Sequence, residues 1–189
     1  MSAGEPVRCA WAKIADPDYR RYHDEEWGVP KGEDRALFEK LVLEGFQAGL
    51  SWLTILKKRE NFRRAFHGFD ARRIARYGAR DIERLVRDPG IVRNRQKIEA
   101  TVDNARAFLT VTERTGFAQF VWGFLDGRPR INHHRSLRSV PSQTALSQRV
   151  SKALQAEGFR FVGPTTAYAL MQATGMVDDH LQSCWVPAR

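Results

Sequence analysis

The chain has 189 residues, 42 % hydrophobic and 28 % charged, with 31 Lys plus Arg against 22 Asp plus Glu and a net charge of +9. That length builds a core without staples. It holds no run of about 18 apolar residues for a membrane helix and no apolar export segment in residues 1–7, while its two cysteines exclude a disulfide framework, suit a reducing cytosol and leave metal binding open.

In chain order, "YRRYHDEEW" (Tyr19 to Trp27) mixes aromatics with charges before the turn-rich "GVPKGED". Asp34 is placed to cap a helix that starts near Arg35, and Leu37, Leu41 and Ala48 follow the helical period. Glu44 lies in line with that apolar stripe. A carboxylate there belongs at an exposed helix end, beside a base, or in a pocket. Trp52, two turns beyond, would share the Glu44 face. With Tyr19, Tyr22 and Trp27 nearby, aromatic walls around one carboxylate suit a flat, cationic ligand. Core packing is the competing reading for each aromatic, and a buried ion pair for Glu44.

"LTILKKRENFRRAF" continues helical with a basic outer surface, and Ile74 starts a further short helix. From Lys57 to Lys97 there are fourteen basic and five acidic residues. Such a block points to an anionic partner, nucleic acid first, with a membrane surface or a merely solubilising face as alternatives. Residues 81–108 read as helix, tight turn, helix. "DPGIVRN" breaks the pattern at Pro89 and Gly90, and Ile98, Val102, Ala105 and Phe108 restore it. The turn would leave backbone N–H groups outward, beside a helix N-terminus, to hold a phosphate. An ordinary helical hairpin is the plainer alternative.

Phe117 to Leu125 reads as helix, followed by the long connection "DGRPRINHHRSLRSVPSQ". Helices resume over 144–157 and 165–174, with Pro164 suited to a start and Gly175 to a stop. The expected architecture is mainly α, with helical lobes facing a cleft and residues 1–189 acting as one domain.

Near the end, "HLQSC" sets His180 four residues before Cys184, on one face if that segment is helical. The matching half of a metal site would be Cys9 with His23, the only histidine in the first 60 residues. Two thiolates and two neutral imidazoles make a tetrahedral structural zinc set that clamps the two ends of the chain. Simple buried cysteines, a helix-capping His180 and a Cys184–His180 nucleophilic pair are the rivals.

Together, a basic surface, a phosphate-holding turn and an aromatic pocket with one carboxylate point to a protein that extracts a flat cation from DNA: an alkylated purine, flipped out of the stack. At this point the sequence resembles the bacterial DNA-3-methyladenine glycosylase I family, of helix-hairpin-helix type. The resemblance rests on "RCAWAKIADPDYRRYHDEEWGVP", "LFEKLVLEGFQAGLSWLTILKKRENFRRAF", "LVRDPGIVRNRQKI", "NARAF" and "FRFVGPTTAYALMQATGMVDDHLQSC", which together span nearly the whole chain. It implies excision of 3-methyladenine from double-stranded alkylated DNA without strand cleavage. It also implies one structural Zn2+ held by Cys9, His23, His180 and Cys184.

The resemblance further implies that Glu44 reads the flipped base and stabilises charge, with Trp52, Tyr19 and Tyr22 around it and Thr165 near the nucleotide. The turn residues Gly90, Ile91, Arg93 and Asn94 would meet the DNA backbone. The activating aspartate common in the wider superfamily has no obvious counterpart, and Lys97 has no clear catalytic partner. Monofunctional hydrolysis is therefore expected, with the water-activating residue unassigned. A monomer in the cytoplasm, associated with the nucleoid, is the expected setting. The alternative is a non-catalytic, zinc-containing DNA-binding or damage-sensing protein.

Overall fold

The computed structural model describes residues 5–13 and 15–187; residues 1–4 of the N-terminal segment lie outside them. The described residues fold into nine α-helices and one short two-stranded ribbon, a mainly α architecture. None of the helices is long and apolar enough to cross a membrane.

Helix α1 (Pro17–Glu25) starts as its residues dictate: proline sits in the first turn, and the Asp16 carboxylate accepts from the N–H groups of Asp18 and Tyr19 at 3.1 and 3.2 Å. Helix α2 (Asp34–Gln47) is the central element. Nine of its fourteen residues are buried, among them two ionisable ones, Lys40 and Glu44. Asp34 does not cap it. The N-cap is Glu33, which makes no side-chain cap bond. The Asp34 carboxylate instead accepts from the N–H groups of Phe117 (3.1 Å) and Ala118 (2.7 Å), at the start of α7 (Phe117–Trp122). That helix is preceded by Gly116, which has no side chain to cap with, so a carboxylate from across the core supplies the acceptor.

Helix α2 stops at Gln47, and Gly49 takes a left-handed φ of +81°. Ala48 and Leu50 therefore lie beyond it. Ser51 then caps α3 (Trp52–Ala65), its hydroxyl accepting from the Thr54 N–H at 3.2 Å. Trp52 consequently opens a new helix and does not continue the Glu44 face along one cylinder; the chain turns and brings it back. Phe46, Phe62, Phe66 and Phe69 pack a fully buried aromatic column, with neighbouring ring centroids 4.7 to 6.2 Å apart. Ile74 ends α4 (Ala71–Ile74), because the Asp70 carboxylate caps that helix upstream through the Arg73 N–H.

The expected hairpin is present. Helix α5 (Ala79–Arg87) and α6 (Arg95–Thr115) flank "DPGIVRN" and pack on each other. The turn is more self-satisfied than its sequence indicates. The Gly90 N–H donates to Asp88 Oδ1 at 2.7 Å, and its carbonyl accepts from Asn61 Nδ2 at 3.1 Å. The Ile91 side chain is buried, whereas Arg93 and Asn94 are exposed. Asn94 Oδ1 caps α6 by accepting from the Lys97 N–H at 3.1 Å. Outward donors therefore come from the first turn of α6, whose initial N–H groups have no intrahelical partner.

The long connection after α7 carries β1 (Arg130–Ile131), which pairs in parallel with β2 (Val177–Asp178), Arg130 opposite Val177. Helices α8 (Ala145–Ala156) and α9 (Pro164–Ala173) fall where expected, Thr144 capping the first. Gly175 follows α9 at φ +69°, and a Cβ there would lie 2.3 Å from Pro30 N and Val29 C. This close approach lets the 28–31 segment bond the end of α9, with the Gly28 N–H on Gln172 O and the Lys31 N–H on Thr174 O, each at 3.0 Å. Gly175→Ala is expected to destabilise the fold by about 3 kcal/mol or more, because both the dihedral and rigid backbone oppose it. Thermal unfolding measures this, and a wild-type Tm would contradict it.

Candidate active site and metal centre

A cavity of about 240 Å³ opens between α1, the end of α2, the start of α3 and α9. Tyr19, Tyr22, Trp11, Trp27 and Trp52 wall it with aromatic rings, and Glu44 and Gln47 come from α2. Tyr22 and Trp52 are buried, with ring centroids 5.2 Å apart at 44°. Trp11 meets Tyr19 and Trp27 edge-on at 5.2 and 5.0 Å. Four of the sequence candidates, Glu44, Trp52, Tyr19 and Tyr22, thus converge on one cavity. Thr165, in the first turn of α9, is exposed and lies outside its lining.

Glu44 is 4 % exposed, and burial pushes its carboxyl up to about 8, opposed by the charge of Lys40. Trp52 Nε1 is a buried donor with no hydrogen-bond partner among the described residues. Burial likewise pushes the Tyr22 hydroxyl well above its ordinary range, so it stays protonated. An apolar-walled cavity with a costly carboxyl inside is built for a ligand that bears donors and positive charge.

Sequence reasoning missed Asp179, Gln172 and Gln47. Asp179 lines the cavity, is buried, and accepts from Asn132 Nδ2, Tyr168 OH and Gln172 Nε2, each at 2.7 Å, with His134 Nε2 at 3.2 Å. Its oxygens are saturated, so it braces the wall between α9 and the 132–140 loop and is poorly placed to take a proton from water. The "DDH" run was a visible signal; its partners, up to 47 residues away, were not.

Lys97 also finds its place. Its Nζ is tied to two carbonyl oxygens at the end of α2, Phe46 at 2.9 Å and Ala48 at 2.6 Å. It closes the C-terminus of α2 and presents no free amine to the cavity.

Next to the cavity, the ligating atoms of Cys9, His23 and Cys184 lie within 4.8 Å of one another. Cys184 Sγ is 3.6 Å from His23 Nε2. His23 Nδ1 donates to Asp24 Oδ1 at 2.7 Å, and Arg8 forks onto the same carboxylate. His180 repeats this pattern: its Nδ1 donates to Asp178 Oδ1 at 2.7 Å. Each carboxylate fixes the Nδ1–H tautomer and leaves Nε2 as the lone-pair donor, the arrangement metal-binding histidines need. The His180 ring centroid is 4.9 Å from that of His23, while its Nε2 faces the His23 carbonyl oxygen at 3.4 Å, outside the three-atom cluster.

His180 and Cys184 do not share a helical face. Residues 180–184 form a turn closed by the Cys184 N–H on Leu181 O at 2.8 Å, and the Leu181 N–H donates to Cys9 Sγ at 3.3 Å. Burial raises the Cys9 thiol to about 12 and lowers His23. The imidazole is thus neutral, and a bound cation would have to displace the thiol proton. Two sulfurs, braced imidazoles and a backbone N–H to sulfur make a donor set that fits a structural zinc.

A model of methyladenine glycosylases matches residues 11–187. DNA-3-methyladenine glycosylase 1 of Escherichia coli (strain K12) is 49 % identical over 179 residues, covering 94 % of this chain and 95 % of the relative. A crystal structure of a 3-methyladenine DNA glycosylase I superimposes with a TM-score of 0.92 at 50 % identity, covering 95 % of this chain and 98 % of the other. The 3-methyladenine DNA glycosylase I of Staphylococcus aureus, solved for the structural basis of 3-methyladenine recognition, gives 0.92 at 38 % identity, covering 96 and 97 %. With the hairpin, the aromatic cavity and the cysteine–histidine cluster in place, the chain belongs to the methyladenine glycosylase family.

Proposed function

We propose that this chain hydrolytically excises 3-methyladenine from double-stranded alkylated DNA, leaving an abasic site and cutting no strand. The observation that carries the reading is Glu44, a buried carboxyl in a cavity with three tryptophans and two tyrosines in its walls, where the other carboxylate, Asp179, is already saturated by hydrogen bonds. A methyl group on purine N3 makes the base cationic and weakens its bond to C1′. When that bond breaks, its electron pair goes to the base and neutralises it, and water attacks the sugar carbon and gives up a proton to solvent. The protein then has to flip, hold and desolvate a base that already leaves readily.

Each residue has a task in this scheme. Tyr19, Tyr22 and Trp52 wall the purine, and Glu44 accepts hydrogen bonds from its edge while its negative charge favours the cationic form. The hairpin turn of Gly90, Ile91, Arg93 and Asn94, with the first turn of α6, grips phosphates, and Thr165 contacts the nucleotide near the mouth. Water rather than an amine is the nucleophile: the Lys97 ammonium is tied to two carbonyls, which supports hydrolysis without a Schiff base. Cys9, His23, His180 and Cys184 would hold one zinc ion, which supplies a covalent-like staple between the two ends of the chain and takes no part in the chemistry. The whole chain works as a single unit and as a monomer, in the cytoplasm beside the nucleoid.

Chromatography of bases released from methylated duplex DNA tests the reading. Free 3-methyladenine with intact strands is expected. Tight binding without release, by folded protein, would favour the damage-sensing alternative.

A further inference from the structure

Lys40 is the least explained side chain in the molecule. It is 4 % exposed, and its ammonium has no hydrogen-bond partner among the described residues. The nearest carboxylate oxygen, Glu26 Oε2, is 3.6 Å away. Glu26 is already engaged by Arg59, whose two terminal nitrogens reach its two oxygens at 2.5 and 2.9 Å. A bidentate arginine outcompetes a lysine for that carboxylate. Lys40 Nζ instead lies over the rings of Tyr22 (4.8 Å to the centroid) and Trp52 (5.4 Å), two walls of the cavity that it does not itself line. On α2 it precedes Glu44 by four residues, the spacing at which side chains on one helix face meet.

We propose that Lys40 is a positioning residue for Glu44: its ammonium, set behind the Tyr22–Trp52 wall one helical turn away, keeps that carboxylate charged when the cationic base arrives. The proposal rests on the base-pocket reading of Glu44 given above. The rings stand between the ammonium and the cavity, so the base meets the carboxylate and the π-faces, not the lysine. The ammonium is in turn stabilised by those faces. The charged groups acting on Lys40 are Glu26 from the end of α1, Arg59 from α3, Lys31 from the segment before α2, and Glu44 on its own helix. The charges of Lys40 and Glu44 act on each other, and Glu44 acts on the hydroxyl of Tyr22. Of these, Lys40 is the one that favours the Glu44 carboxylate, against its burial. Without it, burial acts unopposed and the neutral acid prevails to higher pH.

The test is binding of free 3-methyladenine, whose protonated form stands in for the cationic base of DNA, followed by quenching of tryptophan fluorescence, across a pH series for wild type, Lys40→Met and Lys40→Arg. The ratio of the two proteins' Kd values at each pH cancels the base's own protonation. Lys40→Met is expected to bind about tenfold more weakly at neutral pH, equivalent to about one unit in the Glu44 pKa, with the ratio falling towards one in alkali. Lys40→Arg, which keeps the charge, is expected to restore the wild-type profile. A constant ratio at all pH values marks a packing role and overturns the proposal, as does a ratio of one throughout. If Lys40→Met does not fold, Lys40→Gln gives the same readout with a polar group in place. Absence of binding by wild type itself would overturn the pocket reading and this proposal with it. Binding by wild type with an unshifted profile overturns only the role of Lys40.

Discussion

Glu44→Gln is expected to lower kcat/KM for 3-methyladenine excision roughly a hundredfold, a loss of about 2.7 kcal/mol in transition-state stabilisation. On the proposed reading, the substitution keeps the shape and one acceptor but removes the charge that would balance the cationic base. Its effect on stability should have the opposite sign at higher pH. Burial raises the folded-state carboxyl to about 8, from an ordinary value of 4.5. The folded state therefore holds a proton that the unfolded state has lost, so this group's stabilisation is present below about 4.5 and drains away as pH rises through about 8. Glutamine does not titrate. The variant should gain in Tm relative to wild type between about pH 5 and pH 8.5, while remaining a poor enzyme. A variant with wild-type kcat/KM would remove Glu44 from base recognition.

Cys184→Ala is the second large effect. The cluster of Cys9, His23 and Cys184 joins positions up to 175 residues apart. Taking one sulfur from it removes a ligand and leaves His23 with a single sulfur, the buried Cys9 thiol at about 12, which gives up its proton reluctantly. The purified chain is expected to carry about one zinc per molecule, and the variant to lose most of it together with about 4 kcal/mol or more of stability. Metal analysis and thermal unfolding read the two losses separately. His180→Ala should weaken zinc retention as well if its carboxylate-braced ring supplies the proposed fourth donor, which its Nε2, now facing the His23 carbonyl oxygen, would have to turn to do. Full zinc content and unchanged Tm in Cys184→Ala would defeat the metal assignment.

Local signals in the sequence reached the structure well. Pro89 and Gly90 break one apolar period and Ile98 resumes it, so the hairpin was visible in its punctuation. Pro164 and Gly175 likewise bracket α9. What escaped was set by distance. Asp34 looks like a cap for its own helix, yet its carboxylate serves Phe117 and Ala118, over 80 residues away. Trp52 returns to Glu44 because Gly49 and Ser51 turn the chain, a change of direction that helical periodicity alone does not carry. The spacing of His180 and Cys184 fits a helical face, but the segment is a tight turn, which brings Cys184 to His23 and leaves His180 Nε2 on the His23 carbonyl. Lys40, one turn before Glu44, went unread in the sequence, and so did its lack of a hydrogen-bonding partner among the described residues, because Arg59 takes Glu26 from a different helix.

A crystal structure of this chain with 3-methyladenine bound would decide whether Glu44 reads the base. The purine is expected in the cavity against the wall made by Tyr22 and Trp52, with a Glu44 carboxylate oxygen about 3 Å from a nitrogen on its edge. A base seated elsewhere, with Glu44 turned away to pair with Lys40 and the cavity still empty, would contradict it.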